Sequence, residues 1–220
     1  MARSAGWRRG LRDSAPLVLP TLAVGVTFGL LAAPVIGAVA AVVMSAVVWS
    51  GTAQFAAVGV LGAGGGAVLA GASALLANAR FVPMGFAIAP SLSGSAPKRA
   101  AVGATMVDAS FAIAHRGGGR FDADALVGAM PLQYAAWLLG TIAGAVGADA
   151  LGDPQRWGLD ALFPAFYLSL LVDELRTDRR ARLVAAAAAV LALALVPFTP
   201  PGVPIVAAAA AALVGLRVRR

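Results

Sequence analysis

The sequence has no cysteine and one histidine, and only 12% of its 220 residues are charged. The absence of cysteine excludes disulfide frameworks, zinc–thiolate sites and thiol catalysis. Soluble domains carry about 25% charged residues, whereas this chain is 60% hydrophobic, so the composition predicts a membrane protein. No stretch between the apolar runs is long enough for a second domain. We therefore expect residues 1–220 to form a single transmembrane domain.

The net charge of +7 raises the question of nucleic acid binding. The basic residues, however, lie at the ends of apolar runs and not along one polar face, which is the positive-inside pattern of membrane proteins. The pattern predicts contact with a lipid bilayer and no nucleic acid partner. Residues 1–14 are expected to form a basic cytoplasmic tail, and the arginines at the C-terminus are also expected to be cytoplasmic. The apolar run after residue 14 is too long for the core of a signal peptide.

Crossing a bilayer takes roughly 20 helical residues. The apolar runs predict an all-α, polytopic transmembrane bundle of about eight helices, some broken at mid-membrane. The second run is expected to break near Ser50-Gly51 and the third near Asn78 to Pro83. Eight crossings place every basic link on the cytoplasmic side except Lys98-Arg99. The predicted segments are about residues 15–33, 35–61, 67–92, 101–114, 125–148, 159–172, 181–196 and 204–216.

Polar groups interrupt the apolar runs between residues 44 and 90. Hydrocarbon offers them no hydrogen bonds, so such breaks are tolerated only where protein or a watery cavity supplies partners. Gln54 can both donate to a carboxylate and accept from an ammonium group, which suits a zwitterion, or it can form an interhelical hydrogen bond that only packs the bundle. Ser45, Ser50 and Thr52 are candidate substrate ligands whose hydroxyls could equally bond their own helix backbone.

Asn78 and Arg80 form the most informative pair. A charged residue near the bilayer centre costs about 2.5 to 3.5 kcal/mol, so Arg80 needs a partner there, such as a substrate carboxylate held by its planar guanidinium. The alternative, an arginine reaching for the headgroups, requires a position nearer a helix end. Asp108 is expected inside the fourth segment, either as the ion-pair partner of Arg80 or as the carrier of a coupling proton.

The order of several short motifs resembles the AzlC/YgaZ family of branched-chain amino acid permeases. These motifs are Phe28-Gly29, the stretch from Ser45 to Phe55 with Gly51-Thr52-Ala53-Gln54, then Asn78-Ala79-Arg80, and Asp108 followed by Phe111. The resemblance implies an exporter of leucine, isoleucine, valine and sometimes methionine in the bacterial inner membrane. A downhill proton is the expected energy source, because Gly62 to Gly66 lack the Lys-Ser/Thr of an ATP-binding P-loop. It also implies a small AzlD/YgaH-like membrane partner. The chain departs from the family at Phe81, where histidine is usual, and at Ala109, where glutamate is common.

The remaining residues favour transport over other classes. One histidine, no cysteine and an isolated intramembrane aspartate do not build an enzyme site, and no cofactor is expected. A non-transporting assembly subunit and a channel-like protein for another small solute remain alternatives. Phe55, Phe81 and Phe86 are expected to surround a branched aliphatic side chain. Glycines four residues apart, Gly25/Gly29 and Gly140/Gly144, are expected to pack the bundle, with partner docking as the alternative.

Overall fold

The computed structural model describes residues 5–117, 119–151 and 179–199, and the isolated positions 168, 172, 175, 176, 203, 204, 207 and 208. These residues form helices joined by short turns, with no strand among them, and confirm the predicted all-helical membrane bundle. Within them, two helical stretches are long and apolar enough to cross a membrane, and a bent helix pair makes a third. Apart from five of these isolated positions, the predicted segments at 159–172 and 204–216 lie outside the described residues.

The first long stretch joins two helices. Helix α1 (Ala5–Ser14) continues through a 3₁₀ turn (Ala15–Leu17) into helix α2 (Val18–Ile36). Together they span 32 residues, about 48 Å at 1.5 Å per residue. The segment expected as a basic tail is therefore helical. This segment also packs on the second long helix. The evidence is at Gly10, which lies so close to the Ala125 carbonyl that a methyl group would have no room.

That second long helix, α9 (Ala123–Leu151), runs parallel to α2. The order of contacts shows the direction: Gly25 faces Trp137 and Gly140, and Gly29 faces Thr141 and Gly144. A Cβ added at Gly25 would lie 2.6 Å from the Trp137 carbonyl oxygen. The two glycine pairs thus pack against each other and bring the backbones together, which confirms their predicted role within the bundle.

The second predicted segment is not a crossing. Helix α3 (Ala38–Val47) starts after Gly37, and helix α4 (Gly51–Gly62) returns from the break at residues 48–50. Gly62, the last residue of α4, shows this return. An added Cβ there would lie 3.3 Å from Val35, which is near the end of α2. The break was predicted correctly, but the chain reverses there because Val48 and Ser50 adopt extended backbone. We call α3 and α4 hairpin 1.

The third predicted segment is confirmed as a broken span. Helix α5 (Ala67–Asn78) packs against α4, and helix α6 (Phe81–Ile88) continues the same course to a 3₁₀ turn (Ala89–Ser91). The two parts are bent by 40° at the break. Arg80 lies in that break, so it occupies the middle of a span, as the sequence indicates.

The fourth predicted segment is also not a crossing. Helix α7 (Ala96–Ala104) and helix α8 (Asp108–Ala114) meet at a break at residues 105–107. Their outer ends lie together: the Phe121 amide donates to Ser91 Oγ at 3.3 Å, just before α7, and the Asp122 amide donates to the Ala114 carbonyl at 2.9 Å. Asp108 is therefore at the start of a helix, at the tip of a second reversal. We call α7 and α8 hairpin 2.

The two hairpins complete an inverted repeat. Each follows a longer helical stretch with the pattern V-x-x-G-x-x-x-A-P, at Val26–Pro34 and again at Val82–Pro90. Each pattern is followed by a glycine of positive φ, Gly37 (φ 87) and Gly94 (φ 102), before the hairpin begins. The units run in opposite directions, so hairpin 1 enters from the end where α2 stops and hairpin 2 enters from the opposite end. Such inverted repeats are typical of secondary transporters.

Replacing two crossings by two hairpins changes the distribution of charge. Arg9 lies 3.4 Å from Asp122, which also pairs with Arg116, so α1 and the loop before α9 share one end of the molecule. Lys98 and Arg99 begin hairpin 2 at that same end. The eight-crossing layout, in which these two residues violate the positive-inside pattern, is therefore wrong for the described part of the chain. Helix α10 (Arg179–Leu195) corresponds to the predicted segment 181–196.

Candidate functional site

A cavity of about 310 Å³ lies between the tips of the two hairpins. Residues 48–51 of hairpin 1 and 107–109 of hairpin 2 form its opposing walls. The long parallel helices close it from the sides, with Pro20, Thr21 and Val24 from α2 and Gln133, Tyr134 and Trp137 from α9. Its volume is at the lower end of the range of small-molecule sites, and its walls are mainly apolar.

Arg80 and Asp108 form a two-point ion pair beside this cavity. Arg80 Nε donates to Asp108 Oδ1 at 3.1 Å, and Nη2 donates to Oδ2 at 2.9 Å. The Arg80 side chain is 37% exposed and the Asp108 side chain 61% exposed, so neither is buried by the described residues. The contact is the one expected if Asp108 is the ion-pair partner of Arg80, the first of its two alternative roles. These two parallel hydrogen bonds fix the plane of the guanidinium group.

A short polar chain connects the ion pair to hairpin 1. Arg80 Nη2 also donates to Thr52 Oγ1 at 2.7 Å, and Thr52 lies 3.3 Å from Ser50 Oγ. Ser50 caps α4, accepting from the Ala53 amide, and donates to Asn78 Oδ1 at 2.6 Å. Four predicted site residues and the tip of hairpin 1 are therefore joined through hydrogen bonds at the break of the bent span.

A second, smaller cavity of about 190 Å³ adjoins the first. Thr52, Phe55, Arg80 and Phe81 line it, and it shares Asp108 and other wall residues with the larger one. The Arg80 guanidinium lies 5.0 Å from the centre of the Phe81 ring, a cation–π contact. Of the three phenylalanines expected around a substrate side chain, Phe86 is excluded, because it is 78% exposed and lines neither cavity.

Ser45 lines the cavity, and its hydroxyl connects to Gln54 in a buried network behind the cavity wall. Ser45 Oγ donates to Gln54 Oε1 at 3.2 Å, accepts from Trp137 Nε1 at 3.1 Å and lies 2.9 Å from Thr141 Oγ1. Gln54 is fully buried, donates its amide to the Val48 carbonyl and lines neither cavity. Its geometry matches the interhelical hydrogen bond that the sequence left open as the alternative to substrate binding.

Several wall residues were not anticipated as site residues. Trp49 stacks on Tyr134 with ring centres 4.7 Å apart and planes 10° apart, and Tyr134 donates its hydroxyl to the Ala46 carbonyl at 3.0 Å. Gln133 and Trp137 also face the cavity. The spacing of Gln133 and Trp137 could have indicated this. Residues four apart on one helix share a face, so two polar or amphipathic side chains at that spacing in an apolar run predict a face that points into the protein.

Among the described residues, no group of three or more His, Cys, Asp or Glu side chains is placed to hold a metal ion. The AzlC family model, described as "AzlC protein", matches residues 16–151. The chain belongs to the AzlC family. The match covers α2 to α9 and therefore both hairpins and the whole cavity. No curated protein and no solved structure is significantly similar to this chain.

Membership of the AzlC family confirms the resemblance predicted from the motifs. The family is associated with branched-chain amino acid transport, so the chain belongs to a transporter family. Four of the residues that carried the resemblance line one cavity: Gly51 and Thr52 at the tip of hairpin 1, Arg80 in the bent span and Asp108 at the tip of hairpin 2.

Proposed function

We propose that this AzlC family member exports branched-chain amino acids, namely leucine, isoleucine and valine, and sometimes methionine, across the bacterial inner membrane by exchange for protons. Residues 1–220 would act as one transporter domain together with a small AzlD/YgaH-like membrane subunit, as the family resemblance implies. The observation that carries the proposal is the Arg80–Asp108 pair, held between the tips of two opposed hairpins and open to a cavity.

An amino acid zwitterion is the natural guest for such a pair. Both the zwitterion and the pair are neutral overall, so binding moves no net charge into a low-dielectric region. The substrate ammonium group binds Asp108, and its carboxylate binds at the start of α4, where Arg80 already touches Thr52. A helix N-terminus favours negative charge, because its first N–H groups point outward without intrahelical partners.

The aliphatic side chain then occupies the larger cavity. Val24 and Trp137 provide apolar surface there, and the Trp49–Tyr134 stack forms a flat rigid wall. Burial of apolar surface contributes about 25 cal/mol per Å², which favours leucine, isoleucine and valine over smaller amino acids. Ser45 and Ser50 also line this cavity, and we retain Ser50, Thr52, Arg80 and Asp108 as proposed ligands.

Asp108 couples substrate to proton because both compete for one carboxylate. A protonated Asp108 cannot form an ion pair with the ammonium group, whereas a deprotonated one can. Proton and amino acid therefore bind alternately, which is the requirement for exchange. An inward proton gradient then drives amino acid outward, and the chain shows no Gly-rich loop ending in Lys-Ser/Thr that would bind ATP phosphates.

Alternating access follows from the inverted repeat. Two similar units that enter from opposite ends can exchange conformations, which exposes the cavity to one side and then to the other. The end bearing Arg9, Lys98, Arg99 and Arg116 is assigned to the cytoplasm by the positive-inside pattern. This assignment puts the N-terminus inside and removes the exception at Lys98-Arg99; a cytoplasmic C-terminus remains a proposal from its basic residues.

Proteoliposome efflux tests the proposal. Vesicles containing the purified protein, alone or with its small partner, are loaded with labelled leucine, valine or methionine and diluted into buffer of equal or lower pH. We expect efflux that accelerates when the outside, from which protons enter, is acidic. Arg80→Met should abolish it, whereas Arg99→Met, which removes an exposed arginine outside the site, should retain it. Label retained by the wild type under every condition would refute transport of these amino acids, and efflux unaffected by Arg80→Met would refute the site.

A further inference from the structure

Gln133 carries the one side-chain amide on the cavity wall, and it lacks a partner. The side chain is 7% exposed, and its Nε2 atom is buried with no hydrogen-bond partner among the described residues. Buried primary amides are nearly always hydrogen-bonded in folded proteins, so an unpaired one needs an explanation. Gln54, on the other side of the same wall, shows the usual situation, with both ends of its amide satisfied by protein groups.

Another residue of the same cavity lining, Gly51, also carries an unpaired donor. Helix α4 has 12 residues, and its cap, Ser50, serves the amides of Ala53 and Gln54. The first two N–H groups of the helix, those of Gly51 and Thr52, have no acceptor among the described residues. Gly51 and Gln133 line the same cavity. Two residues with unpaired donors, one on α4 and one on α9, therefore line the same cavity, and the Gln133 Nε2 atom itself is buried just behind the cavity surface.

We propose that Gln133 is a substrate-binding residue whose amide NH₂ donates to the α-carboxylate of the amino acid, together with the N–H groups at the start of α4. The inference rests on the proposed function and adds a residue of α9 to it. The atom that lacks a partner is a donor, so the missing group is an acceptor. Because the two ends of an amide interchange by a half-turn of the last side-chain bond, the NH₂ group can reach the cavity without moving the helix.

Gln133 thereby selects for the carboxylate while Asp108 selects for the ammonium group. The side chain approaches from α9, and Asp108 from hairpin 2, so the two ends of the zwitterion are read by separate elements. A primary amine without a carboxylate should gain nothing from Gln133. This difference separates a substrate contact from a general effect on the fold.

Equilibrium binding to the purified protein in detergent tests the inference, with labelled leucine as probe and 3-methylbutylamine, which lacks the carboxylate, as competitor. Gln133→Met keeps the length of the side chain and removes its hydrogen bonds; it should weaken leucine binding about tenfold, as expected for loss of one hydrogen bond to a charged group. Gln133→Glu should weaken it further, because two carboxylates then face each other. The affinity for 3-methylbutylamine should be unchanged in Gln133→Met.

Other outcomes separate this inference from the proposed function. Wild-type affinity for leucine in Gln133→Met overturns the role of Gln133 while leaving the transporter intact. Retained leucine binding and tighter amine binding in Gln133→Glu would assign the contact to the ammonium group and also overturn it. A large fall in the melting temperature of Gln133→Met, with equal loss of leucine and amine binding, would indicate a structural role and overturn the inference. In that case Gln133→Asn, which keeps the amide, should also fail to bind leucine. Absence of leucine binding by the wild type refutes both proposals.

Discussion

Gly25→Ala tests the packing on which the cavity depends. An added Cβ would lie 2.6 Å from the Trp137 carbonyl oxygen, whereas ordinary contact begins at 3.4 Å, so α2 and α9 must separate by about 0.8 Å (3.4 minus 2.6). The atom that is met belongs to backbone and cannot turn aside. Overpacking of this kind costs about 1–3 kcal/mol, and the backbone contact puts it near the upper value. Alanine returns about 1 kcal/mol through helix propensity, which leaves a net loss of about 2 kcal/mol.

The matched control is Gly59→Ala. Gly59 lies inside α4, and an added Cβ there meets nothing within 4 Å. It should therefore be neutral or stabilising by up to about 1 kcal/mol. Thermal unfolding in detergent, followed by tryptophan fluorescence, measures both variants. A loss of 2 kcal/mol corresponds to about 4–8 °C in a chain of this size. Equal melting temperatures for Gly25→Ala and Gly59→Ala would refute the close approach of the two helices.

Further predictions concern the tips, the stack, the exposed phenylalanine and the topology. Ser50→Ala removes the cap of α4 and should lower stability by about 1 kcal/mol in thermal unfolding; an unchanged melting temperature would contradict the capping geometry. Tyr134→Phe loses the hydroxyl bond to hairpin 1 but keeps the stacked ring, so it should cost about 1 kcal/mol and still transport leucine. Phe86→Ala should leave leucine transport unchanged, since its side chain lies outside both cavities. Because the chain has no cysteine, an impermeant thiol reagent should label Lys98→Cys from the same side as Arg8→Cys; labelling from opposite sides would restore the eight-crossing layout.

The sequence located the helix breaks but not what the chain does after them. Ser50 and Arg80 each stand in an apolar run, and such polar positions identify places where regular helix cannot continue in lipid. A break, however, permits either continuation or reversal. The chain continues with a bend at Arg80 and reverses at Ser50, and the difference depends on the extended backbone at the tip and on packing against α2, which no local pattern encodes.

The charge pattern contained the information that was needed. With the N-terminus inside, a reversal in the second segment alone moves Lys98-Arg99 to the cytoplasmic side but places the basic 115–124 link outside, whereas two reversals satisfy all the described links. The second reversal has a sequence signature in the repeated V-x-x-G-x-x-x-A-P pattern, which is too short and too divergent to stand out before the structure pairs it with equivalent helices. The topology was therefore accessible only through combining charge, repeat and helix length.

The site was predicted in part. Arg80 and Asp108 were identified because isolated charges in an apolar run require each other, and the structure joins them. The α9 wall was missed, because Gln133 and Trp137 lie in a long apolar run with no break, where amphipathic residues are ordinarily explained by packing. Only the structure distinguishes Gln54, whose amide is satisfied, from Gln133, whose amide is not.

Substrate protection of the hairpin tips tests the central claim most directly. Single cysteines are introduced at cavity positions on each tip, Val48→Cys and Ala109→Cys, and at the exposed start of α7, Ala96→Cys. A water-soluble thiol reagent is then applied with and without leucine. If the amino acid binds between the tips, leucine slows labelling at Val48→Cys and Ala109→Cys and leaves Ala96→Cys unchanged. Equal labelling of both tip cysteines with and without leucine, in protein that transports it, would contradict the account.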